Sequence, residues 1–191
     1  MECGDWSPLS KALTGQRTPK PKERNTMKLI DSLITEFDHE AQTTRKHLER
    51  LPEGKLDWRP HEKSFTASGL ASHITEMVGW ADAILNQDGL DFDPATYKPY
   101  VATSVADLLK TFDDNVAKGK QALAGADDDT LQQPWSFKIM GRVRFERPKA
   151  AVFRDFALSH IIHHRGQFSV YLRLLDIPVP GSYGPSADEQ P

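Results

Sequence analysis

The sequence predicts an all-α protein, a four-helix bundle with long connections and a short β-hairpin before the last helix. Three observations predict it. Four stretches of about 20 residues carry apolar side chains at helical spacing. The segments between them hold prolines and glycines that stop helices. Alternation of apolar and polar residues is confined to one segment, Trp135–Phe145, around Met140-Gly141.

Bulk composition narrows the functions. A chain of 191 residues suits one domain, and 38% apolar with 27% charged residues is the make-up of a soluble globular protein. Net charge is -3 and no basic stripe appears, so nucleic acid is not the expected partner. No apolar run is long enough for a membrane span, and residues 1–26 lack the apolar stretch of a secretory signal. A cytoplasmic location is the expectation. Cys3 is the only cysteine, so neither an intramolecular disulfide nor a buried cysteine nucleophile is available.

Residues 1–26 read as a flexible extension, with Trp6 and Leu9 as docking points, and residues 27–191 as the domain. The first helix is expected from about Thr26 to Arg50, with Met27, Ile30, Ile34, Phe37, Ala41, Leu48 and Leu51 on its apolar face. Its His39 and His47 have charged or polar neighbours and read as solvated. Residues 52–65 form a connection that Trp58 and Phe65 pin to the bundle, with His61 on its surface. The second helix runs from about Ala67 to Asn86 behind Thr66 as N-cap. Leu70, His73, Met77, Trp80 and Ile84 make one stripe on it, and His73 sits in the middle.

Residues 87–103 read as a long loop, of a length common in lids over sites, with Phe92, Tyr97 and Tyr100 able to line a pocket. The third helix follows from about Ser104 to Ala124, started by an S-x-x-D signature. After an acidic turn, Asp127–Asp129, and the hairpin, the last helix is expected from Pro148 to about Leu175. Gly166 within it suggests close packing. The proline-rich tail from Ile177 is expected to lie back along the bundle.

The chemistry concentrates in three histidines. His160 and His164 are four residues apart, one turn above each other on one face of the last helix. His163 is turned about 100° away from His164. Imidazoles on apolar faces need partners for their ring nitrogens. Hydrogen-bonded core histidines are one answer, and a shared divalent metal is the other. With His73 facing them from the second helix, three neutral imidazoles would leave coordination positions open, as catalytic sites do. Glu76, one turn on from His73, reads as a solvent-facing or ligand-orienting group.

These residues carry a resemblance. L-D-W-R-P (Leu56–Pro60), L-A-S-H-I (Leu70–Ile74), D-x-x-x-x-H-x-x-H-H-R-G-Q (Asp155–Gln167) and the ending from Leu172 to Ser186 resemble the DinB-like (DinB/YfiT) metal-binding four-helix bundles. The resemblance implies a metal held by His73, His160 and His164. It implies Ni or Zn as the metal and a homodimer as the assembly. It also implies an activity of the thiol S-transferase type, with a small thiol and an electrophile as substrates. A metal-dependent hydrolase and a non-enzymatic metal- or ligand-binding bundle are the alternatives.

Overall fold

The computed structural model describes residues 27–189; Cys3, Trp6 and Leu9 lie outside them. Apolar periodicity gives the first helix, α1 (Leu29–Leu48), whose N-terminus is closed from a distance. The amides of Leu29 and Ile30 donate to the Asp128 carboxylate at 3.3 and 2.9 Å, so the acidic turn caps a helix about a hundred residues earlier. The buried stripe of α1 is Ile30, Leu33, Phe37, Glu40, Ala41, Thr44, His47 and Leu48. It differs from the expected face: Ile34 and Met27 are exposed, and Leu33 takes the inner position.

His47 is also a correction. It is buried, and its Nδ1–H donates to the Thr43 carbonyl at 2.9 Å. The charged neighbours that made it look solvated point elsewhere, because adjacent helical residues are about 100° apart. His39 and His61 are exposed, in line with expectation.

The second helix, α2 (Ala67–Asn86), has the expected bounds, and Thr66 caps it by accepting from the Gly69 amide at 3.0 Å. It is the central helix of the bundle, with twelve buried residues. The third helix, α3 (Val105–Ala124), starts at Ser104, whose Oγ accepts from the Asp107 amide. Gly119 lets α3 approach α1 and α2 closely, since a Cβ there would lie 2.7 Å from Phe37 and 3.1 Å from Ala81. Gly166 has open space where a Cβ would go, so it is not the packing glycine.

A short helix, α4 (Asp128–Gln132), precedes the hairpin of β2 (Pro134–Ile139) and β3 (Arg142–Pro148). Met140 and Gly141, both at positive φ, make the tight turn between them. The segment read as a loop after α2 contains a further strand, β1 (Gly89–Phe92), which pairs in parallel with β2. Four residues bounded by Asp88 and Asp93 carry too little alternation to announce a strand, and pairing with residues 136–139 supplies it. Gly89 is required there, because a Cβ would sit 2.3 Å from the Ser136 carbonyl oxygen.

The last helix runs from Lys149 to Leu174 in three pieces. Helix α5 (Lys149–Val152) leads into a π-helical stretch, Phe153–Ser159, and that into α6 (His160–Leu174). The tail returns along the bundle as expected: Arg173 pairs with Asp188 in a bidentate bridge, and Tyr183 reaches a buried ion pair.

That ion pair joins α6 to α1. Arg165 and Glu40 are 2% and 4% exposed and meet at 2.5 Å. Arg165 also donates to Thr44 Oγ1 and to the Tyr183 hydroxyl, and that hydroxyl donates to Glu40 Oε1 at 2.9 Å. Two charges this deep are costly unless their hydrogen-bonding capacity is filled, as it is here.

Two outcomes follow for stability. Arg165→Met alone strands the Glu40 carboxylate and is expected to cost about 3–5 kcal/mol in urea unfolding, whereas Glu40→Leu with Arg165→Met recovers most of that loss. Gly89→Ala drives a Cβ into backbone and is expected to cost about 1–3 kcal/mol by the same measurement.

Candidate metal centre

The stripe on α2 turns His73 toward the last helix, and the junction between the π-helical stretch and α6 presents His160 and His164 to it. A π-helical stretch inserts a residue relative to α-helical winding and shifts the face that follows it. Here the shift falls immediately before His160. Upstream, Phe153, Ala157 and Leu158 go into the core while Phe156 stays half-buried at the surface of a cleft.

The three rings converge. Their centroids are 5.2 Å (His73–His160), 4.6 Å (His73–His164) and 4.8 Å (His160–His164) apart. One nitrogen from each lies within 4.8 Å of the others, so the three could hold a metal ion. All three are half-buried. His163, although its ring is 4.8 Å from that of His164, is exposed and stays outside the group. His39 and His47 are on α1 and also lie outside it.

The rings are held neutral. Burial, then the His164 and His73 rings, pull the pKa of His160 down to about 4. Burial and His164 lower that of His73. Burial lowers that of His164 against the opposing hydrogen bond it donates to Gln167, with His163 adding to the depression. Neutral imidazoles are the form that binds metal, so this donor set suits a divalent transition ion.

Partners around the rings orient them. His164 Nδ1 lies 2.8 Å from Gln167 Oε1, which fixes Nδ1 as the N–H and leaves Nε2 with the free lone pair. The Gln167 role went unread in the sequence, although an i, i+3 spacing on a helix is a usable signal. Glu76 Oε2 is 4.0 Å from His73 Nδ1, too far for a hydrogen bond. Its carboxylate instead accepts from the Tyr97 hydroxyl at 3.0 Å and the Tyr100 amide at 2.9 Å, tying residues 97–100 to α2. Burial and Glu76 push the Tyr97 phenol up to about 12. Phe65, expected to pin its loop, is 55% exposed and stacks on the His73 ring at 5.8 Å; Trp58 does the pinning, edge-on against Tyr171.

A cleft of about 720 Å³ opens at His73 and His160. Trp80, Phe92, Tyr97, Phe137 and Phe156 form much of its wall, so two of the three aromatics noted in residues 87–103 line it. Tyr100 instead donates to Asp107 at 3.1 Å, at the start of α3. The volume is in the range of small-molecule sites. Among the described residues no helix is long and apolar enough to cross a membrane.

Comparison with known proteins agrees with this architecture. The family model described as "DinB family" matches residues 23–191. An uncharacterized protein of Bacillus subtilis (strain 168), YrdA, is 27% identical over 161 residues, covering 84% of this chain and 91% of that protein. A DinB-like protein from Bacillus cereus ATCC 10987 has a similar fold, with a TM-score of 0.65 and 23% identity over 81% of this chain and 97% of its own. The DinB-like protein YjoA of Bacillus subtilis superposes with a TM-score of 0.60 and 18% identity, over 83% and 98%. With the family model matching most of its length, the chain belongs to the DinB family.

Proposed function

We propose that this protein is a metal-dependent thiol S-transferase acting on small electrophiles, with Ni or Zn held by His73, His160 and His164. The observation that carries the reading is the convergence of three neutral imidazoles at the end of an aromatic cleft. A divalent ion there would act as a Lewis acid and lower the pKa of a coordinated thiol or water. The chain's own residues do the rest. Gln167 holds His164 in one tautomer, so its Nε2 stays available without a proton transfer. Burial keeps protons off His160 and His73 at neutral pH. The cleft wall excludes water from one side and gives an electrophile a surface to lie on. No cysteine is present among residues 27–191, which supports a nucleophile that arrives with a cosubstrate.

The test combines metal content with activity. The purified chain is expected to hold about one ion, and His73→Ala, His160→Ala and His164→Ala each to lose it by elemental analysis, while His163→Ala keeps it. Metal retained in His160→Ala would sink the assignment. Thiol-dependent consumption of an electrophile should vanish with the metal in the same variants. Turnover that needs no thiol would move the reading to a hydrolase.

A pH series provides a separate check. Unfolded imidazoles take up protons near 6.5, whereas His160 in the folded, metal-free chain waits until about 4. Between these values the unfolded chain binds more protons. His160 therefore contributes stability that is fully present above about 6.5 and lost as pH falls toward about 4, and the lowered pKa values of His47, His73 and His164 act in the same direction. Thermal melting of the chelated chain should show that fall, and it should be smaller in His160→Ala.

A further inference from the structure

The cleft beside the imidazoles has a chemical character of its own. Its aromatic wall is continuous: Trp80 stacks on Phe156 at 5.3 Å, Phe156 lies 6.0 Å from Phe137, and Phe92 lies 5.0 Å from Tyr97. The acidic residues that edge it are Glu76 and Asp93, whereas Asp91 alternates to the opposite face of β1, where Lys138 is its cross-strand neighbour; no lysine or arginine is among the lining residues. Asn115 adds an acceptor. Its Nδ2 donates to the Thr75 carbonyl at 3.0 Å, which fixes the amide and leaves Oδ1 as the free end, and Gly79 makes room for it. The negative groups are held in place. Glu76 is pinned by Tyr97 and Tyr100, and Asp93 accepts from the Ala95 amide at 2.9 Å.

An aromatic surface of this size needs an apolar or aromatic body to cover it. Fixed carboxylates beside π-faces attract a cation and repel an anion. We propose that the cleft is the binding site for the organic substrate, and that it selects a small molecule with an aromatic body and a protonated amine over an anionic one. The proposal rests on the triad as the reaction centre for its place in catalysis, but the selection itself is a property of the walls. A carboxylate or phosphate substrate would meet Glu76 and Asp93 with no lysine or arginine in the lining to balance them.

The experiment uses three probes of one shape: phenethylamine, 2-phenylethanol and phenylacetate. Each is titrated at pH 7 into the chelated full-length chain, followed by tryptophan fluorescence, with circular dichroism to verify folding. Chelation removes any ion that would itself draw the carboxylate. The amine is expected to bind about tenfold or more tighter than the alcohol, and the acid weakest. Glu76→Gln and Asp93→Asn should each narrow the gap between amine and alcohol. Phe156→Ala should weaken both and leave the gap intact. Phenylacetate binding as tightly as the amine, or no binding by any probe, overturns the proposal, as does an unchanged gap in both carboxylate variants. Metal content measured on the untreated chain reports on the triad separately, so failure of one reading is visible without the other.

Discussion

The rotation of α6 about its own axis is the constraint on which the site depends, and the buried Arg165–Glu40 pair sets it. His164 and Arg165 are adjacent, so their side chains leave the helix about 100° apart. With Arg165 held at 2.5 Å from Glu40 on α1, His164 has little choice but to face α2. His160 follows, one turn earlier on the same face. A single helix is thus anchored to one neighbour by a salt bridge and offers imidazoles to another. Tyr183 from the tail closes the pair off, which gives the chain after α6 a structural task.

The site is built from groups that are expensive to bury, and the local structure offsets the cost in different ways. The ion pair fills its hydrogen bonds. His47 uses a backbone carbonyl. Glu76 takes a phenol and an amide. The triad differs: Gln167 satisfies one nitrogen of His164, and the nitrogens that face each other stay neutral and close together. Three imidazole nitrogens within 4.8 Å of one another are a donor set that could hold a metal ion. The sheet belongs to the same construction. Parallel pairing of β1 with β2 brings Phe92 to Phe137 and closes the cleft whose other end is the triad.

Some elements were legible in particular residues of the sequence and others were not. The bounds of α2 were, because Thr66 caps it and an uninterrupted stripe follows. The hairpin was, because Met140-Gly141 marks its turn. The triad's convergence followed from helical spacing plus bundle geometry. On α1 the choice between Leu33 and Ile34 could not be made, since both are apolar and about 100° of rotation separates their fates. The pairing of Glu40 with Arg165 spans 125 residues, and two charged side chains in sequence look alike whether exposed or matched. Gly119 and Gly166 are equally small in sequence. Only the neighbouring helices make the first a contact and leave the second facing open space.

Sequence alone determined the helical class, the identity of the three imidazoles and the family resemblance, because period, spacing and short motifs are local properties of a chain. Tertiary structure decided which histidine is buried, which carboxylate meets which guanidinium, that β1 is a strand, and that aromatic residues from distant segments form one cleft. Those depend on contacts between segments far apart in the chain, and a side chain's environment exists only once such segments have packed.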